Sequence, residues 1–221
     1  MIKLQKFTLA EIPVKEMSVL NLKNIPMKNI LLILLLIFTS THIYSQQQVY
    51  PLHAEGDDIP NNSYFKDIDG ELDPYVGVWK GDWNGKTVYL ELRKVKYFLG
   101  INGKGNYRDM ILGERKIINS DGSISVDRIS NFDEQVPEFK GIYSKFSNPS
   151  QKQIDFTPKN MCRKSASLDI TFLDAAKTQM SLHFIYNPST IDNSCPYYNL
   201  VMVQKQDFPM NFPKDIVLTK Q

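Results

Sequence analysis

The chain has 221 residues, 42% of them hydrophobic and 23% charged, with 26 basic and 24 acidic side chains and two cysteines. Five lysines and two glutamates fall in residues 1–45, so the remainder carries 21 basic against 22 acidic residues, a net charge of −1. A near-neutral surface exerts no long-range pull on phosphate backbones, which argues against nucleic acid as a partner, and the length after residue 45 suits one domain.

Residues 27–45 have the layout of a secretory signal peptide. Met27-Lys28-Asn29 supplies the positive start, Ile30 to Phe38 are nine consecutive apolar residues, and a more polar stretch follows up to the small residue Ser45. Cleavage there leaves Gln46 as the new N-terminus. A spanning helix needs about 20 predominantly apolar residues; Thr39, Ser40, Thr41 and His42 interrupt this run first, so no permanent membrane span is expected. No cysteine lies between Met27 and Gln46, which excludes a lipidated N-terminal cysteine. The mixed segment 1–26 reads as a misassigned extension upstream of a true start at Met27. The expected location is therefore periplasmic or extracellular, an oxidising setting for the cysteines.

Residues 46–73 are polar and show no sustained period. They read as an extended arm, punctuated by Pro51, Gly56, Pro60 and Gly70, with Tyr64 and Phe65 pinning its end.

From 74 to 221 the period is two, the repeat of a half-buried strand. Val88, Leu90 and Leu92 share one face; Leu168, Ile170 and Phe172 alternate with polar residues, as do Met180, Leu182 and Phe184. Further strands are expected at 76–84, 107–118, 123–130, 138–146, 153–158, 199–204 and 215–219, with turns at Asn84-Gly85, Ser120-Asp121-Gly122, Asn148-Pro149-Ser150 and Asp174 to Lys177. The expected class is all-β, an antiparallel barrel of about 8–10 strands. If Leu168–Phe172 and Met180–Phe184 form a hairpin, opposed positions sum to about 352. Cys162 and Cys195 then lie just past its open end and are expected to form a disulfide.

No catalytic constellation stands out, and no metal or cofactor is expected. His183 reads as a solvent-facing strand residue without convergent ligands. Asp67 to Asp73 fails the calcium-loop template: with Gly70 as the turn glycine, Phe65 and Val76 occupy ligand positions. Gly103-Lys104-Gly105 lacks the ending of a phosphate loop and reads as a hairpin turn. The most suggestive cluster is Tyr75, Trp79 and Trp83. The two tryptophans fall on one strand face beside Gly77 and Gly81, either closing the barrel or walling a ligand site.

Gly77-Val78-Trp79 resembles the Gly-x-Trp signature of lipocalins and other calycin-type barrels. That resemblance implies that Trp79 closes one end of an up-and-down barrel holding small hydrophobic ligands. The Thr-Asp-Tyr motif of lipocalins is absent, and Lys220 stands in the last strand where that family has an arginine. The chain also resembles an uncharacterised family of small exported proteins from Bacteroidetes-type bacteria. The resemblance rests on the leader Met27 to Leu31, on Tyr64-Phe65-Lys66-Asp67, on Leu72 to Gly81, and on Pro213 to Lys220. It implies location and fold and transfers no catalytic residue. The expected function is non-covalent binding of a small apolar or amphipathic ligand. The alternative is a structural or protein-interaction module of the cell envelope.

Overall fold

Alternating side chains become a wall only if neighbouring strands hold register, and the hairpin of Ala166–Phe172 (β9) and Gln179–Tyr186 (β10) holds it closely. Met180 faces Phe172, Leu182 faces Ile170 and Phe184 faces Leu168, each pair summing to 352. The computed structural model describes residues 47–221 apart from 57, 160, 163, 187–190, 207 and 210. The segments 1–26 and 27–45 and the expected cleavage point before Gln46 lie outside the described residues.

The other strands are Val49–Pro51 (β1), Tyr64–Lys66 (β2), Gly77–Trp83 (β3), Lys86–Ile101 (β4), Lys104–Ile118 (β5), Ile124–Asp127 (β6), Phe139–Lys145 (β7), Asn148–Phe156 (β8) and Asp215–Lys220 (β11). Eight of them, β3, β4, β5, β7, β8, β9, β10 and β11, pair antiparallel with their neighbours in sequence, and β11 returns to β3. The result is a closed up-and-down barrel. Closure removes the sheet edges that would otherwise pair with another chain.

The ring is two arcs joined by two thin seams. β3–β4–β5 and β7 to β11 are laddered continuously, but β11 meets β3 only at Thr219–Lys80 and Lys220–Trp79. β5 meets β7 only at Leu112–Lys140 and Gly113–Phe139. At the first seam Gly81 permits a close approach: a Cβ there would come within 2.5 Å of the Val217 carbonyl oxygen and 2.7 Å of Leu218.

The core follows from the alternation. Trp79, Val88, Leu90, Leu92, Ile111, Ile117, Phe139, Ile154, Phe156, Leu168, Met180 and Leu218 point inward and are almost wholly buried in one cluster.

Several expectations are corrected. The arm is more than extended: β1 pairs parallel with β2, and β2 pairs parallel with β5 at Tyr64–Tyr107 and Phe65–Arg108. Residues 199–204 form no strand. Asn199–Val203 is a π-helical turn whose amides bond locally, Val201 N–H to Tyr197 O and Gln204 N–H to Asn199 O. The disulfide at Cys195 anchors the chain just before the turn. Asn148-Pro149-Ser150 opens β8 instead of turning, a tolerated place for proline; the reversal falls at Phe146-Ser147. Residues 123–130 shorten to β6 followed by a 3-10 turn, Ile129–Asn131. β4 runs far past the alternating residues Val88 to Leu92, while β5 begins close to its expected start, and the two meet at a two-residue turn, Asn102-Gly103. Both turn residues have positive φ, 53° and 75°, the combination that asparagine and glycine accept.

Candidate functional site

Trp79, near the start of β3, is part of the barrel core. Its side chain is fully buried, its indole Nε1–H donates to the Tyr75 carbonyl at 2.8 Å, and Phe172 lies 6.3 Å away centroid to centroid. Lys220, laddered to Trp79, places its ammonium 5.3 Å from the ring centroid and donates to Pro74 O. A cation over an indole face is an attractive arrangement. Trp83 occupies the same strand face, partly buried against the core, with the Lys86 ammonium over its ring.

The end of the barrel away from the start of β3 carries longer connections. Cys162, after β8, and Cys195, after β10, form a disulfide with Cα atoms 5.6 Å apart. Phe212 from the same region enters the core, packed on Phe139 and Phe156. Beneath it lies a buried ion pair. Arg115, wholly buried, donates to Glu138 at 2.8 Å and to the Asn211 side chain at 2.9 Å, and its guanidinium stacks over Phe156. A dry pair is tolerated only when its remaining donors are satisfied, and Asn211 supplies that.

Glu114 sits on the outer face of β5, sealed by the segment that follows β6. Neither carboxylate oxygen accepts a hydrogen bond among the described residues, and Arg128 is 3.5 Å away. Burial and the nearby Glu138 charge push this carboxyl above its ordinary range, against the pull of Arg128 and Lys159.

The alternating apolar residues of these strands, Val88, Leu90, Leu92, Leu168, Ile170, Met180, Leu182 and Phe184, belong to the core cluster, and Phe172 packs against it partly buried. The hollow of interest is elsewhere, where β5 and β7 part. A bulge after Lys140 turns β7 away, and β5 takes β2 as its partner instead. The gap is a cleft of about 150 Å³ lined by Leu52, His53, Leu72, Leu99, Arg108, Asp109, Met110, Gly141, Ile142 and Tyr143.

The polar groups of this cleft differ in availability. Asp109 is engaged, accepting from Tyr64 Oη–H at 2.6 Å and from the Asp67 amide at 2.9 Å. Burial and that bond push the Tyr64 hydroxyl up to about 12. His53 contacts Glu71. Tyr143 Oη–H donates to Asp155. Arg108 lies over the Phe65 ring at 5.0 Å, half-buried, and forms no ion pair among the described residues. Its donors are the ones open to a ligand.

A second, shallower hollow of about 300 Å³ lies on the outer wall, lined by Val78, Tyr89, Lys116, Ile118 and Ile129.

The other sequence candidates resolve into local roles. Asp67 accepts the Glu71 and Leu72 amides and pairs with Lys94, which also binds Asp73. The acidic string is thus a lysine-clasped turn, and no group of three metal-ligating side chains occurs among the described residues. His183 is exposed and bonded to Asp215 at 2.6 Å. Sequence reasoning missed the cleft because its walls come from three separated segments, each of which reads as ordinary strand or arm.

Fold and hollows together define an antiparallel up-and-down β-barrel that carries, among its described residues, a cleft between β5 and β7 and a shallower depression on its outer wall. The chain belongs to a family of unknown function, DUF6705, which matches residues 27–221. No curated protein and no solved structure matches it.

Proposed function

We propose that the chain is an exported, non-catalytic, lipocalin-like protein that binds a small amphipathic molecule in the cleft between β5 and β7. The observation that carries this reading is an apolar cleft with one uncommitted guanidinium, Arg108, at its wall. About 150 Å³ is the size of a cavity that takes one benzene ring, so the cleft suits a ring or a short acyl end. Arg108 favours an anionic head, because a guanidinium pairs a carboxylate or sulfonate through two parallel bonds. The leader at 27–45 and the Cys162–Cys195 disulfide support export, and the closed antiparallel eight-strand barrel supports the lipocalin-like reading.

The test is displacement of anilinonaphthalene sulfonate by decanoate, followed by fluorescence. Arg108→Gln is expected to weaken decanoate about tenfold, or about 1.4 kcal/mol, and Met110→Trp to abolish binding by filling the cleft. A parent protein that takes up neither probe, or two variants that bind as the parent does, would overturn the assignment. Native mass spectrometry of the exported protein adds a direct reading: extra mass lost on denaturation supports a resident ligand.

The second reading, a structural or protein-interaction module of the cell envelope, is favoured by the outer hollow of Val78, Tyr89, Ile118 and Ile129. An open apolar depression suits a partner's side chain better than an enclosed molecule. A partner lost with Tyr89→Ser but kept with Arg108→Gln would favour this reading.

A further inference from the structure

The up-and-down order places the β4–β5, β7–β8 and β9–β10 turns at the same end of the barrel, the end at which β3 begins. Two of these hairpins end in exposed apolar side chains. Ile101, at the β4–β5 tip, is 79% exposed, and Phe146, at the β7–β8 tip, is fully exposed. Leu173, at the third turn, is half-exposed.

The tips stand clear of the barrel. Lys94, where the acidic arm is clasped by Asp67 and Asp73, is seven residues before Ile101, about 23 Å of strand. Ile101 ends β4 and Phe146 directly follows β7, and β4 and β7 run in the same direction, so both side chains stand at the far ends of their hairpins.

At the Ile101 and Phe146 tips the charge has one sign. Residues 98–106 contain Lys104 as their only charged side chain, and 143–152 contain Lys145 and Lys152. Lys145 shares its charge with Asp169 at 2.9 Å. At the third turn Lys177 accompanies Asp174, whose carboxylate is taken up by the amides of Thr178 and Gln179.

We infer that these hairpin tips dock the protein onto the surface of an anionic phospholipid bilayer. Ile101 and Phe146 enter the headgroup–acyl boundary, and the lysines sit at the level of the phosphates. Separate convex fingers suit a soft surface. A large aromatic side chain buries about 150–250 Å², so two or three tip residues fall short of the roughly 800 Å² per partner of a stable protein interface. A second copy or a rigid protein partner is therefore a poorer fit. The inference is independent of the cleft, because the tip residues to be altered do not line it.

The protein recovered from its exported fraction would be sedimented with sucrose-loaded vesicles, either phosphatidylglycerol–phosphatidylethanolamine or phosphatidylcholine alone. Parent protein is expected to partition onto the anionic vesicles, more weakly as salt rises. The double variant Ile101→Ser, Phe146→Ser should lose at least tenfold, while Ile124→Ser, an exposed apolar residue on β6 at the opposite end, should match the parent. In a second measurement, Phe146→Trp should shift its emission to the blue with anionic vesicles only. Equal partitioning of parent and double variant, equal binding to both lipid compositions, or an unshifted Trp emission would overturn the inference. So would a parent dimer that the double variant abolishes, which would assign the tips to a second copy. Decanoate binding unchanged by the double variant keeps this result separate from that of the cleft.

Discussion

Glu114 and Asp67 are both carboxylates withdrawn from water, and their surroundings drive them in opposite directions. For Asp67 burial alone would raise the pKa, but the Leu72 amide, the Lys94 ammonium and the Glu71 amide together hold it below its ordinary value. Its contribution to stability is present above the ordinary aspartate range and is lost as pH falls through the depressed value. For Glu114 burial acts first and the Glu138 charge adds to it, so the folded state prefers the protonated acid. Its contribution is complete below 4.5, the ordinary glutamate value, and is lost as pH rises through the elevated one. Glu114→Gln, which keeps the shape without the charge, is expected to stabilise the protein at neutral pH. The gain should be on the order of 1–3 kcal/mol, the range for a buried polar group without a partner. Urea melts from pH 4 to 8 check it: a variant no more stable than the parent at pH 7 would mean that Arg128 already compensates the charge.

At the scale of elements, the disulfide does what the core does not do alone. It ties the connection after β8 to the one after β10 across 33 residues, and closing a loop of that length stabilises by about 3–4 kcal/mol on the chain-entropy account. Met161, Ile191, Cys195 and Phe208 form their own small cluster around it, separate from the barrel core. The paired substitution Cys162→Ser, Cys195→Ser should therefore lower stability by that amount while leaving the barrel intact. Thermal melting with near-ultraviolet circular dichroism would show it; loss of the aromatic signal in the folded variant would mean that the cluster templates the barrel end.

How much of this was legible follows from the same residues. β9 and β10 were readable because a strict polar–apolar alternation fixes both period and register, and the two cysteines followed from that register. The Asn199–Val203 turn was not, because Leu200-Val201-Met202-Val203 is β-branched and apolar and looks like strand. What decides it is a cross-link and a local hydrogen-bond pattern. The far half of β4 was missed because Val95 to Leu99 leave the alternation once the strand projects beyond the core. The cleft was invisible, since no single segment carries more than part of it.

For the whole molecule the two seams set the order of opening. β4 and β5 share fifteen register positions, whereas β5–β7 and β3–β11 share two each. Local opening draws on the regions with the fewest interlocking bonds. Hydrogen exchange is expected to appear first at Ile142 to Lys145 on β7, well before Tyr89 to Arg93 on β4. Equal protection of the two segments would show that the ring opens only as a unit.

The return of β11 to β3 also fixes where the chain leaves the barrel. Lys220 is laddered to Trp79 and the Gln221 amide donates to Val78 O, so the C-terminus emerges at the end that bears the hairpin tips. Any handle added after Gln221, whether an affinity tag, a fluorophore or a chip linkage, leaves the barrel on the same side as Ile101 and Phe146. A label carried on the Asn84-Gly85 turn, at the far end of the barrel, leaves them free, and surface measurements on this protein should be built from that side.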